Sequence, residues 1–227
     1  MKNSRQVKHL SALAVALFIC SVSLSRAQSS AQMKLAPDNP ELKTLFVEDQ
    51  HDRGSEPFVE FDEHGKPRAA QKKWPVQPDD VMEKHDRART VRVRELLQSD
   101  AVHSGQDYWF AAIIFHHGEK PEDYLLAHVL ALAAAYKGNR NGRWLAAASL
   151  DRYLLSVSQK QIYGTQFTGK PGEAVQADYD TQVLDDTLRA NSWVISVEAQ
   201  HKQWLGFQSG QSGDSNTTLL SCLMGTD

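Results

Sequence analysis

Six of the eight prolines, Pro37, Pro40, Pro57, Pro67, Pro75 and Pro78, fall before residue 79, and only Pro121 and Pro171 follow. A proline inside a helix removes a hydrogen bond and clashes with the preceding turn. Long helices are therefore largely excluded from the first third of the chain and permitted after it. From Asp79 to about Lys160, apolar residues recur with a period near 3.6, which predicts four helices. The first covers about 79–99 with Met82, Val93, Leu96 and Leu97 on one side. The second covers about 105–117 with Tyr108, Ala111, Ala112 and Phe115, and stops at Gly118. The third opens at Pro121 and carries Tyr124, Ala127, Leu130, Ala131 and Ala134 as far as Gly138. The fourth follows Gly142 with Trp144, Ala147, Ala148, Asp151, Leu154 and Leu155. Their short connections favour antiparallel neighbours, and the alanine runs 133–135 and 146–148 favour close approach.

An earlier helix is expected from Pro40, which suits a first helical position after Asn39, to a stop at Gly54. Its stripe is Leu42, Leu45, Phe46, Asp49, Gln50 and Arg53. Beyond the fourth helix, the β-branched and aromatic string Gln161–Phe167 around Gly164 predicts a short extended segment at about 161–167. A last helical stretch is expected at about 182–205, divided at Asn191-Ser192 or Ser196. The expected class is all-α, a bundle of partly repeat-like antiparallel helix pairs. Residues 41–207 form its single domain and 54–78 an irregular connector. Residues 28–40 and 208–227 read as flexible tails, the latter a Gly/Ser-rich spacer followed by an apolar end at 219–224 whose role is open.

Residues 1–27 read as an export signal. Lys2, Arg5 and Lys8 precede the apolar run Leu10–Cys20, and Ser25-Arg26-Ala27 offers small residues for cleavage after Ala27. Eleven helical residues rise only about 16 Å, roughly half a bilayer core, too short for a comfortable anchor. Cys20 would suit lipid attachment, but Phe18 and Ile19 stand before it where small residues are expected. Cleavage removes four of the 25 bases and none of the 28 acids, leaving a net charge of −7. That acidity argues against nucleic acid and anionic membrane surfaces as partners. Cys222 is then the only cysteine, which excludes an intramolecular disulfide. The expectation is an exported monomer in the periplasm or medium, without stable membrane insertion.

The chemistry-bearing signal is polar residues on apolar stripes. Asp49 follows Leu45 by four and Arg53 follows Asp49 by four; Asp86 and Arg89 align with Met82 and Val93; Asp151 stands seven after Trp144. A carboxylate removed from water needs a partner. The economical arrangement sets Asp49, Asp86 and Asp151 against Arg53, Arg87 or Arg89, and Arg152. Such a network either joins helices or also lines a site. His116 and His117 end the second helix, as helix-dipole partners or as a general acid or base. Adjacent helical histidines diverge by about 100°, and no HExxH or paired-cysteine spacing exists, so neither a metal nor another cofactor is expected. His128 reads as a satisfied interior histidine. Gln161, Tyr163, Thr165 and Gln166 gather donors and acceptors in few residues, able to satisfy buried charge or to grip a small polar ligand. No GxSxG, Walker loop or GxGxxG appears, and no nucleophile is identifiable.

Asp49-Gln50-His51-Asp52-Arg53 (DQxxR), Asp86-Arg87, Phe115-His116-His117-Gly118, Asp151-Arg152 and Gln161-Ile162-Tyr163-Gly164-Thr165-Gln166 occur in that order. Together they resemble a bacterial family defined only as a domain of unknown function and often found behind export signals. The resemblance covers roughly residues 41–205. It implies an α-rich domain in which these polar residues cluster, and no established activity. The segment Ala111–Leu150 more weakly resembles a tetratricopeptide-type helix pair, but barely one unit is present where stacking needs three. Two functions follow as expectations. One is a domain binding a small polar ligand or protein partner. The other is a hydrolase of a periplasmic or extracellular substrate, with His116 or His117 as acid/base, Asp151 orienting it, and Arg152 or Gln166 polarising.

Overall fold

The computed structural model describes residues 37–56, 74–168 and 175–208. The expected signal, most of the connector and the final tail lie outside these residues. Helix α1 is Pro40–Asp52, opened by Asn39, whose side chain accepts from the Glu41 and Leu42 amides at 2.9 and 3.2 Å. Helices α2 (Asp79–Gln98), α3 (Gly105–His116), α4 (Pro121–Tyr136) and α5 (Gly142–Ser156) follow within two residues of the expected bounds. Among the described residues the protein is all-α apart from one two-residue strand pair.

Helix α3 is buried almost all round, the pattern of a central helix. Its start is fixed by a reciprocal cap: Ser104 Oγ accepts from the Asp107 amide at 2.9 Å, and Asp107 accepts from the Ser104 amide at 3.1 Å. Asp107 also accepts from the amides of Asn39 at 2.7 Å and His103 at 3.1 Å, tying α1 to this cap. Asp123 holds the same position in α4, accepting from the Lys120 amide at 3.4 Å. Asp107-Tyr108-Trp109-Phe110-Ala111 and Asp123-Tyr124-Leu125-Leu126-Ala127 are alike in sequence, and both are the same kind of helix start.

Contacts along the helices fix their directions. Glu41 of α1 meets Arg92 of α2 while Arg53 meets Asp86, so these two run antiparallel. Arg94 lies over the Phe115 ring at 5.0 Å while Arg87 reaches Glu119, which makes α2 antiparallel to α3. Gly105 at the start of α3 abuts Lys137 and Ala134 at the end of α4, and Gly142 at the start of α5 abuts Ala131 and Ala135. The C-terminal ends of α1, α3 and α5 therefore share one end of the bundle with the N-terminal parts of α2 and α4. Between them lies a core of Leu42, Phe46, Val93, Trp109, Phe110, Ile114, Phe115, Leu130 and Leu145. The Phe46 ring stacks on Phe110 at 4.6 Å. Burying each large member contributes about 1.5–3 kcal/mol.

After α5 the chain turns through 161–166 into β1 (Phe167–Thr168), antiparallel to β2 (Val175–Gln176). Gln161 bridges to Tyr179. The last helical stretch is divided as the sequence suggested, into α6 (Asp186–Asn191) and α7 (Val197–Gln208). Among the described residues, no helix is long and apolar enough to cross a membrane.

The tightest helix contact makes a prediction. A Cβ on Gly142 would stand 2.3 Å from the Ala131 carbonyl oxygen and 2.8 Å from the Ala135 nitrogen, both backbone atoms. Gly142→Ala should push α4 and α5 apart and cost about 2 kcal/mol, read from the midpoint of urea unfolding.

Candidate functional site

Five charged side chains form a chain across α1 and α2. Asp49 is fully buried and accepts from Arg53 Nη1 at 2.8 Å. Arg53 Nη2 donates to Asp86 at 2.6 Å, and Arg89 Nη2 donates to the other Asp86 oxygen at 2.8 Å. Arg89 Nη1 then donates to Asp52 at 2.8 Å, and His85 faces the same Asp52 oxygen at 2.9 Å. Gln50 Nε2 adds a bond to Asp49 at 2.8 Å. Helical spacing places these residues on facing stripes, and antiparallel packing brings them to the same level. The alternation of acid and guanidinium offsets the large cost of burying each charge alone.

Asp49 has a third partner, His117, whose Nδ1 lies 3.0 Å from both carboxylate oxygens. An ionised carboxylate only accepts, so Nδ1 carries the proton and Nε2 keeps a lone pair. Burial alone would raise the Asp49 pKa, but His117, Arg53 and Arg89 together hold it below the usual carboxylate range. Burial also lowers the His117 pKa, with Asp49 opposing and Arg53 and Arg152 adding to the shift. His116 is held well below its ordinary value by burial first, then by the charges of Arg152, His117 and Arg53. Its Nδ1 meets the hydroxyl of Ser149 on α5 at 3.1 Å.

Asp151 corrects the expected pairing. It is fully buried, but it forms no ion pair with an arginine and no bond to a histidine among the described residues. Its Oδ1 accepts from the Ile162 and Tyr163 amides at 2.8 and 2.9 Å, and its Oδ2 from the Thr165 amide and hydroxyl at 2.9 and 2.8 Å. It is the internal anchor of the 161–166 loop. The histidine's orienting carboxylate is Asp49. Of the alternatives Arg87 and Arg89, it is Arg89 that joins the ion chain, while Arg87 reaches Glu119.

Gln161 completes the loop from a fully buried position. Its Nε2 donates to the carbonyls of Gln166 at 3.1 Å and Ala177 at 2.8 Å, and its Oε1 accepts from the Gln166 amide at 2.9 Å. The Tyr163 carbonyl receives Gln200 Nε2 at 2.7 Å, Arg189 Nη1 at 2.9 Å and the Tyr179 hydroxyl at 3.3 Å. Gly164 follows with φ +75°, and a Cβ there would fall 2.5 Å from Gln200 Oε1 and 2.6 Å from the Tyr179 ring. Asp151, Gln161, Tyr163 and Thr165 are thus occupied with one another and with α6 and α7.

Arg152 stands between the two lattices. Its Nη1 donates to the His116 carbonyl at the end of α3 at 2.6 Å, and its Nε donates to Gln166 Oε1 at 3.3 Å. Gln166 in turn bonds the Ala148 carbonyl at 3.2 Å. The Arg152 guanidinium carbon lies 5.7 Å from the centre of the Tyr124 ring. Burial and then Arg53 lower the Arg152 pKa, with Tyr124 and Asp86 opposing. Among the described residues Arg152 has no carboxylate within ion-pair distance, and its Nη2 makes no hydrogen bond. Among the described residues His117 Nε2 and the Tyr124 hydroxyl likewise make no hydrogen bond, and all three side chains are half-buried.

The structure therefore brings together Asp49, Gln50, Arg53, Asp86, Arg89, His116, His117, Arg152 and Gln166. Sequence reasoning missed Asp52, His85, Ser149, Tyr124, Arg189 and Gln200. Asp52 and His85 carried a signal, since Asp52 is one turn after Asp49 and His85 one turn before Arg89; the others are set only by tertiary register. His128 is satisfied as expected, with Nδ1 2.8 Å from the Ala146 carbonyl. Among the described residues no group of three or more histidine, cysteine or acidic side chains is placed to hold a metal ion. The chain matches none of the family models, curated proteins or solved structures with which it was compared.

Two predictions follow from this geometry. Asp151→Asn turns an amide N–H₂ toward loop donors, and should cost about 3 kcal/mol. Faster hydrogen exchange at Ile162, Tyr163 and Thr165 would locate the loss. The second concerns acid. His116 and His117 have depressed folded-state pKa values, so the unfolded chain takes up their protons first and stability falls as pH drops below about 6.5. Asp49 and Asp52 are also depressed, so their contribution is present above about 3.8 and is lost below it as they protonate. Tm should decline between pH 7 and 5 and again below pH 4, with the first decline shallower in His116→Asn.

Proposed function

We propose that this protein is an exported α-helical domain that binds a small polar ligand at the charged end of its bundle. The observation that carries the reading is Arg152. It is half-buried, fixed by two neutral acceptors with Nη2 left without a hydrogen bond, and it lies over the Tyr124 ring and within electrostatic reach of His117. The surrounding polar groups are largely committed to one another, so they shape the site rather than fill it. A few convergent polar groups on a rigid frame are what a specific small-molecule site requires. Export rests on the basic start, apolar run and small-residue cleavage site of residues 1–27. The resemblance to an exported bacterial family, through DQxxR, HG, DR and QxYGTQ, points to the same residues.

A hydrolase is the second reading, favoured by the Asp49–His117 pair. Asp49 orients the imidazole, and Nε2 would take a proton from an attacking water while Arg152 polarises the bond being broken. The measurement that separates these is a thermal-shift screen against sugars, amino acids, peptides, nucleotides and organic acids, paired with product analysis of every hit. Binding predicts a hit whose shift disappears in Arg152→Gln and whose ligand is recovered intact. Hydrolysis predicts turnover that Asp49→Asn and His117→Gln abolish. A protein that no compound shifts, with Arg152→Gln altering only its Tm, would make the cluster a helix fastener and refute both.

A further inference from the structure

We infer that the ligand of this site is a small oxyanion, a carboxylate or a phosphate group, seated on the open edge of Arg152; the inference rests on the ligand-binding reading above. The argument begins with unequal neutralisation. Arg53 contacts Asp49 and Asp86, and Arg89 contacts Asp86 and Asp52. Among the described residues the Arg152 guanidinium hydrogen-bonds only the His116 carbonyl and the Gln166 side-chain oxygen, both uncharged. A largely desolvated guanidinium with no counter-ion is the costly arrangement that an incoming anion relieves.

Its surroundings do not supply the missing charge. Both oxygens of Asp86 and both of Asp49 are already engaged. His116 and His117 are uncharged or cationic in any state, and Arg53 adds a repelling charge. Tyr124 offers a hydroxyl that can donate to an oxyanion. Asp86 acts on Arg152 from the ion chain, and Asp123 and Glu119 act on Tyr124, so the attraction for an anion is local to Arg152 Nη2 itself.

The guanidinium is also pre-aimed. Helix α5 sets its stem, the end of α3 holds Nη1, and Gln166 holds Nε. Gln166 is fixed by the Ala148 carbonyl, by the Thr165 hydroxyl at 3.0 Å, and through its amide by Gln161. The 161–166 loop therefore serves the site indirectly, by holding the residue that holds Arg152. Little rotamer freedom remains to be lost on binding, and that loss is the usual cost of recruiting an arginine.

Calorimetric titration of the purified protein at fixed ionic strength tests this. The probes are inorganic phosphate, acetate and gluconate, with glucose and glycerol as neutral counterparts. Saturable binding of one or more anions, at least about tenfold weaker in Arg152→Gln and unchanged in the remote Arg140→Gln, is the expected result. Phosphate without the carboxylates, or the reverse, identifies which oxyanion the site takes. Should Arg152→Gln fail to fold, Arg152→Lys keeps the charge and loses the fork; affinity for the anion unchanged in that variant overturns the inference. Equal anion binding by Arg152→Gln and the parent protein overturns it too. Glucose or glycerol binding through Arg152 while the anions do not would defeat the oxyanion and leave the ligand site standing. No binding by either class removes both.

Discussion

The alternating chain Asp49–Arg53–Asp86–Arg89–Asp52 governs how α1 and α2 meet. Buried carboxylates and guanidinia tolerate one another only in a narrow set of positions, because a lost partner leaves an uncompensated charge. Apolar contacts between Leu42, Phe46, Val93 and Phe110 would accept some sliding of α1 along its neighbours. The ion chain does not, since a one-residue slip of α1 would rotate Asp49 away from His117 and Arg89 and Arg53 away from Asp86. Register is thus set by charge and cohesion by the apolar core.

The alternation of helix direction converts this local order into a site. Successive antiparallel helices deliver the C-terminal ends of α1, α3 and α5 to the same place as the N-terminal parts of α2 and α4. Residues far apart in the chain, such as Arg53 and Arg152, come within electrostatic reach. Two dense lattices result, one of ion pairs on α1 and α2 and one of loop amides around Asp151. Among the described residues, Arg89 Nε in the first and Arg189 Nε and Gln200 Oε1 in the second are buried without a hydrogen-bond partner. Arg152 and His117 lie at the boundary of the lattices and belong fully to neither.

Much of this was legible in the sequence. The 3.6-residue period and the capping residues located the helices closely, because both depend on neighbours along the chain. Asp49 with Arg53 and Asp86 with Arg89 were legible for the same reason: a spacing of three or four puts side chains on one face. Asp151 with Arg152 misled because adjacent helical residues diverge by about 100°, so one turned to the 161–166 loop and the other to the end of α3. The Asp49–His117 pair and the roles of Ser149, Arg189 and Gln200 depend on which helix lies beside which. That is decided by packing, and no short-range pattern carries it.

The Tyr163 carbonyl accepts from side chains that arrive on three separate stretches of the later chain. Its position thus constrains a peptide unit more than a phenol ring, and the tyrosine is the interchangeable part of that junction. Drift in the 179–200 region would be felt first as a change in how the loop oxygen is held. It would then pass through Gln166 to the arginine it steadies, so the 179–200 stretch bears on the placement of a side chain two contacts away.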